Sequence, residues 1–391
     1  MSIATLPTSL VRRSVAAAKP AARRQRLVFI DALRGLAALA VATYHIHRYG
    51  PLHEAAGSLI PAPLALVFEH GWMGVQVFFV ISGFVIAYSV REAIITPRYV
   101  ANFALRRSIR LDPPYWTTIA IVLCLYLLGG PLAQIDPLID PPSAGQLLAH
   151  PMYLQDILGY GNVSVGLWSL CIEVQFYLLL IVALGVAQWL GRHAARHHTR
   201  AEGLFFLALT APLALYSLAR YEPGGRFDMW IVHFFCMFFL GVLVFLNDAR
   251  RIGPVWFWTY VALLLLRLAV NWSLEIACAT TAGLTLYAAG SAGGLDRWLA
   301  HPMLQYFGRI SYSLYLIHYP VSWLVVGIGN QLTGTAPVVA LAWHLLALGM
   351  SMAVAHLLHI YVEVPSMALA SRFKPARQPS LPVVEIRPVT A

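Results

Sequence analysis

The chain has 391 residues, of which 59% are hydrophobic and only 11% charged, whereas soluble domains are nearer ~45–50% apolar and ~25% charged. It cannot solvate its surface as a soluble protein of two or three domains would, so lipid must cover it. The formal charge of +10 would suit nucleic acid, but the basic residues fall in short clusters between apolar runs, as in the loops of a membrane protein, and no nucleic-acid partner is expected.

Residues 1–26 are rich in Ala and Arg (Arg12, Arg13, Lys19, Arg23, Arg24, Arg26) and read as a basic cytoplasmic tail or part of a targeting peptide. The apolar run from Leu27 to Tyr44 is interrupted by Asp31 and Arg34 and lacks a small-residue cleavage site, so it reads as a retained first span. A helix needs roughly 20 apolar residues to cross about 30 Å of hydrocarbon. About ten stretches qualify: 28–48, 70–90, 114–131, 167–190, 203–220, 229–248, 254–270, 273–291, 307–329 and 336–361. The expected fold is therefore all-α: a polytopic membrane domain over 27–366, followed by a Pro-rich cytoplasmic tail over 367–391. No internal repeat or appended soluble domain is visible.

Loop charge supports this topology. With the N-terminus inside, the cytoplasmic loops carry Arg91, Arg98, Arg106, Arg107 and Arg110, then Arg192, Arg196 and Arg200, then Arg250 and Arg251, then Arg297. The C-terminus, also inside, carries Arg372, Lys374, Arg377 and Arg387. The long outer loop 132–166 has three Asp and no Lys or Arg, as the positive-inside rule requires. Arg220 and Arg226, in the outer turn between spans five and six, depart from it. The tight pair 254–270 and 273–291 also fits a re-entrant hairpin. Cys124, Cys171, Cys236 and Cys278 lie in apolar runs without metal-ligand spacing. His193, His197 and His198 have no carboxylate or Cys beside them, so no metal is expected.

The first span carries Asp31, Arg34 and His45. An ionisable group at mid-membrane costs about 2.5–3.5 kcal/mol on insertion scales, so three in one span need a reason. Asp31 and Arg34 are three apart and share a face. His45 lies eleven residues beyond Arg34, close to three turns and about 16 Å along the axis, so it shares that face too. An ion pair locking helices together, with an interfacial histidine, is the structural alternative. The functional reading is a polar stripe facing an interior cavity.

The pattern Asp31-x-x-Arg34-Gly35 followed by His45 resembles the membrane-bound acyltransferase family 3. Other segments resemble its motifs in order: Gly74 to Phe84 in the second span; Arg107-x-x-Arg110 running into Pro113-Pro114-Tyr115-Trp116; Trp168-Ser169-Leu170 leading to Glu173 and Gln175-Phe176-Tyr177; Ile310 to Pro320, with Ser313, Tyr315 and His318; and Tyr361-Val-Glu363-Val-Pro365. Gln76 stands where an acidic residue is common in the family, and Val174 replaces a second Glu. The resemblance covers about residues 28–365. It implies transfer of an acyl group, often acetyl, from acyl-CoA as co-substrate to a sugar hydroxyl of a cell-surface polysaccharide or glycolipid, with no bound cofactor, in a bacterial inner membrane.

Topology then puts His45, Glu173 and His318 at neighbouring depths in the outer half, and Arg107 and Arg110 at the cytoplasmic face. The expected mechanism has Arg107 and Arg110 hold the nucleotide end of the donor while the thioester reaches past Arg34 to His45. The expected catalytic residues are His45, Arg34, Asp31 and Glu173: His45 is the general base, Glu173 orients the imidazole or the sugar, and Arg34, beside Asp31, stabilises charge on the donor or the oxyanion. An acyl-histidine is a variant of this scheme. His318, Ser313, Tyr315 and Glu363 are support positions. Two rivals are a transporter or flippase using the same buried charges, and an acyltransferase acting on a small secondary metabolite.

Overall fold

The computed structural model describes residues 27–133, 142–194, 198–222, 224 and 228–373. The N-terminal basic tail, the stretch 134–141 with Asp136 and Asp140, the pair Arg196 and His197, Arg226, and the tail from Lys374 lie outside the described residues. Among the described residues the regular structure is all helical, without strands.

The helices are α1 (Val28–Arg48), α2 (His53–Gly57), α3 (Ala62–Glu69), α4 (Gly74–Ser89), α5 (Pro97–Ala133), α6 (Ala144–Ala149), α7 (Leu167–Ala194), α8 (His198–Arg220), α9 (Ile231–Asp248), α10 (Pro254–Val270), α11 (Leu274–Ser291), α12 (Pro302–Thr333), α13 (Pro337–Leu358) and α14 (Val364–Arg372), with a π-helical turn at His359–Glu363. Among the described residues, six segments are long and apolar enough to cross a membrane: Val28–Arg48, Gly71–Ser89, Leu167–Arg192, Ala201–Arg220, Ile231–Asp248 and Pro337–Arg372. The chain is a multi-pass membrane protein.

Two backbone contacts organise the bundle. α1 packs most extensively on α12, and the two helices run parallel. They touch at glycines. A Cβ on Gly35 would sit 2.5 Å from the Gly308 nitrogen, and one on Gly308 would collide with the Asp31 carbonyl. Small residues let helices approach this closely in lipid, where packing replaces the hydrophobic drive. α4 and α9 meet in the same way, Gly83 against the Phe238 carbonyl and Gly241 against the Val80 carbonyl. α9 is buried nearly all round, as expected of a helix apolar on every face. Phe238 stacks on Phe79 at 4.6 Å and on Phe176 at 4.2 Å, tying α4, α7 and α9 into one aromatic core.

Two elements differ from the sequence reading. The span expected from residue 114 is the second half of α5, which starts at Pro97 and runs unbroken through Pro113-Pro114 for 37 residues. Proline removes a backbone donor and normally breaks a helix. Around the prolines Tyr312 Oη donates to the Leu111 carbonyl at 2.8 Å, and the Thr117 and Thr118 hydroxyls donate to the Pro113 and Pro114 carbonyls at 2.7 and 2.9 Å. Arg107 and Arg110 therefore stand on a helix and not in a loop. The last expected span, 336–361, is α13 with the π-turn, and α14 carries the same apolar segment on to Arg372.

Gly35→Val should drive a branched side chain into the α12 backbone. Overpacking of this kind costs about 1–3 kcal/mol or more. A lower melting temperature of the detergent-solubilised protein is the expected outcome. Gly349→Ala, where nothing lies within 4 Å of the added Cβ, should leave it unchanged or raise it.

Candidate active site

Three arginines converge between the helices. Arg34 comes from α1, and Arg107 and Arg110 come from one face of α5, three residues apart. They line a cavity of about 90 Å³ together with Ser82 of α4, Ser169, Glu173 and Tyr177 of α7, and Ser311, Tyr312 and Tyr315 of α12. Glu173 is its one carboxylate, and Ser82 Oγ donates to Glu173 Oε1 at 2.5 Å. The Arg107 guanidinium lies 4.5 Å above the Tyr177 ring, a cation–π contact that fixes its direction. Arg110 Nε is buried without a hydrogen-bond partner. With three cations against one carboxylate, the cavity suits an anionic ligand, and guanidinium forks suit phosphate oxygens.

Arg107 and Arg110 also line a second cavity, of about 340 Å³, with Ser89, Arg106 and the α14 residues Met367, Ala370 and Ser371. It lies at the end of the bundle where α4 finishes and α5 begins. The arginine pair thus separates an opening at that end from the interior cavity. Glu363 is drawn inward by the π-turn and is 4% exposed. It accepts from Ser313 Oγ at 2.7 Å and meets His359 Nδ1 at 2.9 Å. π-turns inside helices recur at functional sites.

Further along the same helices His45 and His318 meet. His318 Nε2 lies 3.0 Å from His45 Nδ1. His45 is 8% exposed and His318 is fully buried. Each Nδ1 also faces a main-chain carbonyl one turn back: Val41 at 2.9 Å for His45 and Leu314 at 3.0 Å for His318. Tyr49 stacks on the His45 ring at 5.8 Å, and Tyr319 meets it edge-on at 5.7 Å. Tyr315 links the two regions: its ring is 6.1 Å from His318, and it also lines the arginine cavity.

The structure therefore groups Arg34, Arg107, Arg110, Glu173 and Tyr315 around one cavity, and His45 with His318 about three turns away along α1. Glu173 bonds to Ser82 and not to the imidazole. Asp31 sits at the glycine crossing, outside the cavity lining. Ser313 serves Glu363. Gln76 and Val174, where the sequence departs from the family pattern, do not line the cavity either. Ser82, Tyr177 and Tyr312 were not singled out from sequence. All three lie in or beside the quoted motifs, which was the signal available. Among the described residues, no group of three or more His, Cys, Asp or Glu side chains could hold a metal ion.

The segment after residue 142 closes the site on the side away from the second cavity. Tyr153 Oη donates to Asp112 Oδ1 at 2.9 Å, and its ring packs on Tyr115 at 4.7 Å. Tyr315 Oη bonds Ser169 Oγ at 2.6 Å and donates to the Gly166 carbonyl at 3.1 Å. His150 is fully buried there, and burial pushes its pKa below the ordinary 6.5. As a neutral ring it donates from Nδ1 to the Gln146 carbonyl and accepts the Val163 N–H at Nε2.

Comparison with known proteins adds a family. Residues 27–360 match a family model described as an acyltransferase domain. A Bacillus subtilis (strain 168) protein named as a peptidoglycan O-acetyltransferase, YrhL, is 26% identical over 333 residues, which is 75% of this chain and 48% of that one. Nodulation protein 10 of Rhizobium leguminosarum bv. viciae is 26% identical over 315 residues, 70% and 80% of the two chains. Acyltransferase MdmB of Streptomyces mycarofaciens is 26% identical over 400 residues, 93% and 97%. The chain thus spans about half the length of the Bacillus relative and nearly all of the Streptomyces one. No solved structure matches it.

Tyr315→Phe should remove the hydroxyl that ties α12 to Ser169 and Gly166. A loss of about 0.5–1.5 kcal/mol per bond is expected. Hydrogen exchange should speed up over residues 142–169 while α9 stays protected.

Proposed function

The chain belongs to this acyltransferase family, and from that membership we propose that it is an O-acyltransferase of a bacterial inner membrane. In this reading it moves an acyl group, acetyl by default, from acyl-CoA to a sugar hydroxyl of a cell-surface polysaccharide or glycolipid. The names of its Bacillus and Rhizobium relatives support a glycan acceptor. α5, α10, α11 and α12 join the six apolar segments to give about ten crossings, with both termini and the arginine-rich loops cytoplasmic. The second cavity then opens on the side where acyl-CoA is made.

The observation that carries the reading is the spacing of the two polar regions. The arginine cavity suits the donor's phosphates. From those phosphates to the sulfur, the pantetheine arm has roughly a dozen bonds, or about 15 Å extended at ~1.2 Å per bond. Arg34 and His45 are about 16 Å apart along α1. A donor held by Arg34, Arg107 and Arg110 would bring its thioester to the imidazole pair. Glu173 and Tyr177 set the direction of that grip, and Asp31 keeps the first turn of α1 in place beside α12. His45 takes the proton of the acceptor hydroxyl as its oxygen attacks the thioester carbonyl. The C–O bond forms, the C–S bond breaks, and the proton returns from His45 to the thiolate.

Purified protein in nanodiscs, given labelled acetyl-CoA and candidate glycans, tests this. His45→Ala should abolish transfer while expression and insertion persist. Arg107→Ala and Arg110→Ala should each raise the donor KM by about 10- to 100-fold, the range for a lost charged hydrogen bond. Movement of a solute without acyl transfer or thioester hydrolysis would favour a transporter instead.

A further inference from the structure

We infer that His318 is a positioning residue for His45, and that the reacting atom of the pair is His45 Nε2. The inference rests on the acyltransferase reading for its chemistry, but its geometry stands alone. A carbonyl oxygen only accepts. The Leu314 carbonyl, 3.0 Å from His318 Nδ1, therefore places a proton on that nitrogen and leaves Nε2 of the neutral ring with its lone pair. The Val41 carbonyl, 2.9 Å from His45 Nδ1, places a proton there in the same way. The single His45 Nδ1 proton is then shared between the Val41 carbonyl and His318 Nε2 as a three-centre bond, 3.0 Å on the His318 side, in which His45 donates and His318 accepts. Only one ring nitrogen of the pair keeps an uncommitted lone pair, and it is His45 Nε2.

This arrangement uses a neutral imidazole where a carboxylate would often stand. The carboxylates nearby are committed elsewhere, Glu173 to Ser82 and Glu363 to Ser313 and His359. When His45 Nε2 takes a proton from the acceptor hydroxyl, its Nδ1–H strengthens its bond to His318 Nε2, and the positive charge spreads over two rings. Tyr49, stacked on the other side of His45, and the edge-on Tyr319 leave the ring little freedom to turn.

Two variants separate this role from packing. His318→Gln offers an amide oxygen near the old Nε2 position but no ring. His318→Phe keeps the ring and its bulk but offers no acceptor. A positioning role predicts that Gln retains kcat within about 10-fold and Phe loses about 100-fold or more, the scale of general-base catalysis, with both KM values unchanged. A packing role predicts the reverse order, and Phe performing as well as Gln would overturn the inference. A readout independent of activity is 15N NMR of histidine-labelled protein in nanodiscs, with His45→Gln and His318→Gln assigning the two rings. The expected spectrum has both rings protonated at Nδ1 and bare at Nε2; a proton on His318 Nε2 would overturn the pairing. If the wild type transfers no acyl group yet shows that spectrum, the acyltransferase reading fails and the pairing survives.

Discussion

The structure depends on the contact between two backbones. Gly35 and Gly308 let α1 and α12 approach until side chains have no room between them. In lipid such a contact has no competing hydrophobic drive, so its strength lies in dispersion and shape. The helices are parallel, so the crossing fixes a constant offset between them. That offset sets Arg34 beside Ser311, Tyr312 and Tyr315 at one level and His45 beside His318 at another. Helices held further apart could not bring two imidazole nitrogens to 3.0 Å.

Around this pair the bundle solves a second problem, the cost of polar groups in hydrocarbon. The solution is local. Tyr177 offers its face to Arg107. Ser82 bonds Glu173. The π-turn rotates Glu363 onto Ser313 and His359. Tyr312 and Tyr315 spend their hydroxyls on main-chain carbonyls of α5 and of the segment before α7. All of these contacts except Glu363 with His359 join two elements, so satisfying the polar groups also fixes the helices. Arg110 Nε stands outside this economy, and it faces the place where an anionic ligand would supply the missing acceptor.

Much of this was legible in the sequence, for a physical reason. Charged residues in an apolar run are costly, so Asp31, Arg34 and His45 announce themselves without any partner in view. Helical phase gives their common face, and alternation of spans gives the common depth of His45 and His318. Partners were harder to read. Glu173 shares its approximate depth with several groups, and only packing decides that Ser82 receives it. Pro113-Pro114 reads as a helix start because proline is tolerated in a first turn, whereas α5 carries the pair in its interior. The π-turn has no local signature, since one extra residue in a turn leaves no mark in composition. The hydrogen-bonded closure by Tyr153 and His150 lies in a loop whose polar residues look solvated until the partners are known.

The glycine crossing has one more consequence. Gly35 to His45 and Gly308 to His318 are intervals of the same length, ten residues each. The meeting of the two rings is thus written as an equality of two counts and not as a local motif. Adding or removing one residue within either interval would swing that histidine by about 100° around its axis while every side chain of the pair remained present. The lengths of these two stretches cannot drift apart. The placement of the pair is stored partly as a ruler.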